Sequence, residues 1–293
     1  MPGGAMTLSV LAPFAPERLE RARFAGFDRL QLRIGPGFPI DTEDDSLREA
    51  REAAVELEKW GFSVASLGFY RNMLEPDLEL RRAESWRLRN VLRMAAEVFR
   101  APVVGVFAGR QPDLSIEENI PLFREVWEPM ARLGEDLKVR IAFENCSMFR
   151  DYPVRGINMS HTPAAYRLMF AAIPSPTLGI EFDPSHCLKQ QIDPARFLRE
   201  FGSRIYHVHA KDHERLAEAE YEHGCFDPRS SRDRLPGLGQ IDFDCMFRVL
   251  GEIGYAGDVA LEAERDPKCP DEAALARGHR EARLLLEKSM ARL

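Results

Sequence analysis

The chain has no long hydrophobic run. No stretch approaches the roughly 20 apolar residues of a membrane-spanning helix, so no membrane partner is expected. It also has no block of basic residues. Forty Lys and Arg stand against 47 Asp and Glu, a net charge of −7, so a nucleic-acid partner is not expected either. Cysteine is scarce. Cys146, Cys187, Cys225, Cys245 and Cys269 are odd in number, far apart and without a CxxC pair, which argues against both a disulfide scaffold and a thiolate zinc site. The start, MPGGAMTLSVLAPFAPERLE, lacks a basic n-region, and Pro13 interrupts its short apolar run, so no secretory signal is expected. These absences leave a reduced, cytoplasmic enzyme as the expectation. The 45% hydrophobic content is too high for general disorder, and 293 residues suffice for one large core.

Apolar, β-rich runs alternate with longer segments of helical periodicity. The candidate strands are 7–11, 29–34, 62–67, 102–107, 139–144, 178–183, 204–209 and 258–262, the first being the least marked. Helical candidates are 47–60, 79–99, 117–133 and 271–293, and Ser115 with Glu118 has the spacing of a capping box. Strands separated by helix-length crossovers predict a parallel sheet. Eight such units in about 250 residues have the size of a (β/α)8 TIM barrel. No Pro/Gly/Ser-rich linker cuts the chain, so residues 1–293 are expected as a single domain. The alternative is a doubly wound open sheet, but no GxGxxG follows an early strand. Two segments exceed simple connections: 146–162 after the fifth strand and 213–240 after the seventh. Both follow strands, which in a barrel puts them on the catalytic face. The second is expected to cover the site.

Four successive candidate strands end in groups that can ligate a metal: Glu144 in IAFENC, Asp183 in GIEFDPSH, His209 in YHVHAKD and Glu262 in ALEAE. A single carboxylate at a strand end is ordinarily just solvated. Four on consecutive strands of a barrel converge on one rim. Two Glu, one Asp and one His form an O3N set suited to one divalent ion, Mn²⁺ by preference, or Mg²⁺, Co²⁺ or Zn²⁺, with positions left for substrate oxygens.

Around this set His186, Lys211, Asp212 and Arg215 are candidate substrate-binding residues, and Lys211 suits a developing oxyanion. An ion pair between loops is an equal reading for Lys211. Strand parity turns Glu181 and His207 into the interior, one step deeper than Asp183 and His209. Buried charges need partners, so these two are expected to support the ligands from beneath, as a hydrogen-bonded pair. Trp60, Trp86 and Trp127 are expected to pack within helices. Asn72 reads equally as a rim residue or a loop cap. The glycines of LPGLG fit no P-loop and are expected to form a turn.

The segments PVVGVFAGR, IAFENCSM, PSPTLGIEFDPSHC, REFGSRIYHVHAKD, LPGLGQIDF and GEIGYAGDVALEAE resemble, in order and spacing, the xylose isomerase-like TIM barrels grouped as sugar phosphate isomerases and epimerases. The resemblance runs from about Phe27 to Glu264. It implies that Glu144, Asp183, His209 and Glu262 bind one divalent metal, that the two glutamates transfer protons, and that His186 touches a substrate oxygen. It also implies a small-molecule sugar partner and association into homo-oligomers. The chain departs from the family at Glu181, where Asn is common, and in LEAERDP at the last strand.

The activity implied is that of a metal-dependent isomerase or epimerase. It would act on a keto-sugar or polyol-derived ketone through an enediolate, with Glu144 and Glu262 as the acid/base pair. A dehydratase or β-eliminating lyase, of the inosose dehydratase or 3-keto-glycoside-cleaving kind, shares the first half-reaction and is the alternative. A non-catalytic sugar-binding barrel is a minor alternative. Type IV AP endonucleases share the barrel but use many more His ligands than the seven His of this chain would supply.

Overall fold

The computed structural model describes residues 5–151 and 155–292. Eight parallel strands close on themselves: β1 (Thr7–Pro13), β2 (Arg29–Arg33), β3 (Ser63–Phe69), β4 (Val103–Val106), β5 (Arg140–Glu144), β6 (Leu178–Phe182), β7 (Ile205–Ala210) and β8 (Asp258–Leu261). Each pairs with its sequence neighbour, and β8 pairs with β1 from Thr7 opposite Asp258 to Val10 opposite Leu261. The fold is therefore the expected (β/α)8 barrel, and the open sheet is excluded. Among the described residues no helix is long and apolar enough to cross a membrane.

The helices between strands are α1 (Pro16–Ala25), α2 (Arg48–Lys59), α3 (Leu78–Arg93), α4 (Ile116–Leu137), α5 (Pro163–Ala172), α6 (Pro194–Phe201), α7 (Phe243–Glu252) and α8 (Glu272–Met290). Their starts follow local chemistry. Pro opens α1, α5 and α6, where its missing N–H costs nothing. Ser115 and Glu118 form the full capping box at α4. The 79–99 candidate is longer than one α-helix: α3 passes into a π turn at Met94–Phe99.

Both long connections contain structure. An antiparallel pair, Phe149–Asp151 with Arg155–Gly156, follows β5; residues 152–154 of that connection lie outside the described residues. After β7, Asp212–Arg215 pairs with Ser231–Arg234, enclosing a short helix at Ala217–His223.

The apolar core lies mainly between strands and helices. All five residues of β6 are buried, as expected of a strand covered on both sides. Trp127 stands edge-on to Phe143 at 4.7 Å, and its indole N–H donates to the Ala108 carbonyl at 2.9 Å. Each such ring contributes about 1.5–3 kcal/mol through burial. Trp60 is partly buried against this core. Trp86 departs from the packing expectation: it is exposed, and its indole N–H donates to Asp45 at 3.2 Å.

The inside of the barrel is different. Ordinarily it is filled by layers of branched apolar side chains. Here Ser9, Gln31, Ser66, Glu181, His207 and Asp258 are all buried polar groups carried by the strands.

Candidate metal centre

Glu144 is the last residue of β5, and Asp183 follows β6 directly as the N-cap of the short helix Pro184–Lys189. His209 lies near the end of β7, opposite Ala260 of β8, and Glu262 follows β8. One ligating atom from each of the four falls within 4.8 Å of the others. His209 Nδ1 is 3.0 Å from Glu144 Oε1 and 2.8 Å from Glu262 Oε2. Asn145 holds the β6 end in place. It accepts from the Asp183 N–H at 2.6 Å and donates to the Asp183 carbonyl at 2.8 Å.

Asp183 spends one oxygen on capping, accepting from the Ser185 N–H at 2.7 Å. Its other oxygen, Oδ2, is buried without a hydrogen bond, although His186 Nε2 is 3.3 Å away. Burial, reinforced by Glu262 and Glu144, pushes the Asp183 carboxyl up to about 7. Burial also raises Glu144. Burial acts the same way on Glu262, but Lys211 and His209 outweigh it and hold that carboxyl well below the usual range. Three clustered acids, two of them (Asp183 and Glu262) with a buried oxygen that accepts no hydrogen bond, together with one imidazole, fit a divalent cation.

His209 is oriented from behind. Its Nε2 lies 2.8 Å from Gln31 Oε1 and 3.2 Å from Glu181 Oε1, both acceptors, and keeps a hydrogen toward them, while Nδ1, which faces Glu144 and Glu262, would give up its own to a cation. Nδ1 is then the nitrogen available to a metal, the usual result of a polar group placed behind a His ligand.

Glu181 and His207 form the expected pair, with His207 Nδ1 2.8 Å from Glu181 Oε1. A register shift between Ile180 and Glu181 brings the two opposite each other on β6 and β7. Glu181 also accepts from Gln31 Nε2 at 2.6 Å and from the Tyr70 hydroxyl at 2.9 Å. Burial opposes its charge, but His209 and His207 hold the carboxyl below its ordinary value. The network continues downward. His207 Nε2 is 3.0 Å from Ser66 Oγ and 3.6 Å from Asp258 Oδ2. Asp258 in turn accepts from Thr7 Oγ1 at 2.8 Å, Arg29 Nε at 3.3 Å and Ser9 Oγ. Gly105 of β4 leaves room for this arrangement, since a Cβ there would overlap the Glu181 carboxylate.

A cavity of about 1200 Å³ opens above these four residues, lined by Glu144, His186, Lys211, His213 and Glu262, with Tyr70 and Phe107 as an aromatic wall. His186 is buried, and burial lowers its pKa to about 3, so it faces the cavity as a neutral imidazole. Lys211 Nζ donates to Glu262 Oε1 at 2.9 Å and lies 3.6 Å from Asp233 Oδ2.

Two candidate substrate residues have other work. The Asp212 carboxylate accepts from the main-chain N–H of His213 and Ile241 on one oxygen, and of Gly237 and Gly239 on the other. Those bonds saturate it and pin the LPGLG turn, so it is absent from the cavity wall. Arg215 makes a two-pronged ion pair with Glu220, at 2.7 Å on each prong, and also lies off the wall. Asn72 proves to be a loop clamp, accepting from Leu74 and Arg110 N–H groups.

Gln31, Tyr70, His213 and Asp233 escaped the sequence reading. A Gln inside the apolar run of β2 was a signal for the first. Tyr70 and Asp233 carried no local signal, because each is defined by partners far along the chain.

A family model described as xylose isomerase-like TIM barrel matches residues 19–287. Inosose dehydratase of Clostridium beijerinckii is 29% identical over 155 residues, covering 52% of this chain and 49% of that protein. The chain thus aligns with about half the length of that relative. A xylose isomerase domain protein from Planctomyces limnophilus superposes with a TM-score of 0.74 at 18% identity, covering 99% of both chains. The 3-keto-D-glucoside 4-epimerase of E. coli superposes with a TM-score of 0.71 at 16% identity, covering 97% of this chain and 99% of the other. At such identities these two likenesses speak for the fold.

Proposed function

The chain belongs to the xylose isomerase-like TIM barrel family, and from that premise we propose that it is a divalent-metal-dependent isomerase or epimerase of a keto-sugar or related polyol ketone. The observation that carries this reading is the convergence of Glu144, Asp183, His209 and Glu262 within 4.8 Å beneath a large cavity. These four residues would hold the cation. When bound, such a cation supplies Lewis acidity that polarises a substrate carbonyl and offsets the charge left by deprotonating the adjacent carbon.

The protein's own groups divide the proton work. Glu262 stays ionised beside Lys211, which suits it to take the proton from carbon. Burial makes Glu144 the readier of the two to hold a proton, which suits it to return one. Two carboxyls whose surroundings push them apart in this way make an acid/base pair. Return to the opposite face of the same carbon is epimerisation; return to the neighbouring carbon, with the hydroxyl proton passing from one oxygen to the other, is isomerisation. Neutral His186 can hydrogen-bond a substrate oxygen, and Tyr70 with Phe107 can pack against the C–H face of a sugar. The hairpin after β7 lines one side of the cavity, where it would limit the access of water to the reactive carbon.

A second reading, elimination, begins with the same proton removal and is favoured by the relative named as an inosose dehydratase. The test of the common step is metal analysis followed by deuterium uptake from heavy water into a ketose panel. One divalent ion per chain and uptake at the carbon beside the carbonyl are expected. Full metal occupancy with unchanged affinity in His209→Ala would overturn the ligand assignment, and no uptake into any ketose would overturn the chemistry.

A further inference from the structure

One side chain on the cavity wall is built for proton transfer and is used by neither glutamate. His213 lies in the first strand of the hairpin after β7 and is only 2% exposed. Directly across the hairpin stands Asp233, whose Oδ1 is 2.9 Å from His213 Nδ1. The carboxylate can only accept, so Nδ1 carries its hydrogen toward Asp233, and Nε2 is left for another partner. Nε2 is buried and has no hydrogen bond within the protein. A cross-strand clamp needs only the Nδ1 contact and gives no reason to bury an unsatisfied second nitrogen beside the cavity. The dyad is also wired to the metal centre: Asp233 Oδ2 is 3.6 Å from Lys211 Nζ, which is 2.9 Å from Glu262 Oε1.

We propose that His213, oriented by Asp233, is a third acid–base residue that protonates an oxygen leaving the substrate, which equips the site for the second reading above, elimination from a polyhydroxy ketone. This rests on the proton abstraction proposed above. Epimerisation moves a proton only at carbon, and Glu144 and Glu262 already suffice for it; isomerisation adds a proton shift between two neighbouring oxygens that both stay on the substrate and share one site. A third proton donor finds its use when a C–O bond breaks.

In the balanced step a glutamate takes the proton from the carbon beside the carbonyl, and that C–H electron pair becomes a C=C bond. The C–O bond on the next carbon breaks, its electrons going to the oxygen. The Nε2–H of the His213 imidazolium gives that oxygen its proton. The products are an unsaturated ketone and water, or an alcohol where the oxygen carries a substituent. The glutamate then loses its proton to solvent and the imidazole regains one, so no oxidant or co-reactant is consumed. Asp233 balances the imidazolium charge.

The experiment uses the metal-loaded enzyme with ketohexoses and cyclic polyol ketones in heavy water, following deuterium uptake and loss of water from the product separately by mass spectrometry. The native protein is expected to do both on at least one probe. His213→Gln should lower the ratio of elimination to exchange by about 10²-fold or more, the ordinary share of a general acid. Asp233→Asn, on a half-exposed side chain, should lower the same ratio less, with metal content unchanged. A structural loss would depress both reactions together and leave the ratio alone. An unchanged ratio in both variants overturns the proposal. Exchange without elimination by the native protein on every probe overturns it too, and leaves the proposed isomerase or epimerase standing. No exchange on any probe overturns both.

Discussion

At the rim of the barrel, Asp183 keeps a buried oxygen that no donor reaches. Two residues down the same strand, Glu181 takes hydrogen bonds from Gln31, Tyr70 and His207. The two clusters use the same residue types and meet on the neighbouring strands β6 and β7. They differ in whether the protein satisfies them itself. The lower cluster is closed: His207 lies between Glu181 and Asp258, and Asp258 is met by Thr7, Ser9 and Arg29. The upper one is left open toward the cavity, and burial makes two of its acids, Asp183 and Glu144, resist ionisation. Hydrogen-bond completeness thus separates charges that build a scaffold from charges that await a ligand.

The sharpest break of this comparison lies at the rim. Glu144→Gln and Glu262→Gln should each lower turnover by about 10²–10⁴-fold or more, with little loss of folding stability. The Glu262 variant should lose solvent deuterium exchange, whereas the Glu144 variant should keep part of it while losing product. Equal loss of exchange in both would refute the division of proton work. Next in size is the lower cluster. Glu181→Ala strands two buried histidines and should cost about 3–5 kcal/mol in urea unfolding. A cost under about 1 kcal/mol would erase the distinction drawn between the clusters.

Metal removal should have a smaller effect on stability. A cation at a hundred times its Kd stabilises the fold by about 2.7 kcal/mol, read as a drop in Tm on chelation. The proton on Asp183 competes with that cation. Since burial puts this carboxyl at about 7, affinity should fall as pH drops through that value, by up to about tenfold per unit for one displaced proton, and the rise continues above it because His209, held protonated by Glu181, Glu262 and Glu144 against its burial, must also lose a proton. Affinity independent of pH between 6 and 8, checked by competitive titration, would contradict the buried-acid account. The smallest effect belongs to Arg215→Ala. It removes a partly exposed ion pair with Glu220 and should cost about 0–1 kcal/mol without changing metal affinity. A large rise in KM would return Arg215 to the substrate site.

The clustering of the four rim residues was legible in the sequence because they stand at strand ends, and strand ends are marked by where an apolar run stops. Glu181 and His207 were legible through parity. The rest was hidden by distance along the chain. Tyr70 meets Glu181 across 111 residues, and Gln31 meets it across 150. Neither contact has a local pattern. Asp212 misled for a related reason: its position beside His209 resembles that of a substrate ligand, but its partners are main-chain groups of a turn some 25 residues later. The first strand was faint because β1 carries Ser9 inward, to serve Asp258, in place of an apolar residue.

Gly105 carries a consequence for how such a barrel changes over generations. A methyl group there would strike the Glu181 carboxylate, which Gln31, Tyr70 and His207 prevent from stepping aside. Replacement of Gly105 by alanine is therefore conditional on prior replacement of Glu181 by something shorter. The reverse order passes through an intermediate with a disrupted barrel. Glu181 and the bare backbone facing it form a ratchet: with the acid in place, the neighbouring strand cannot carry a side chain at that point.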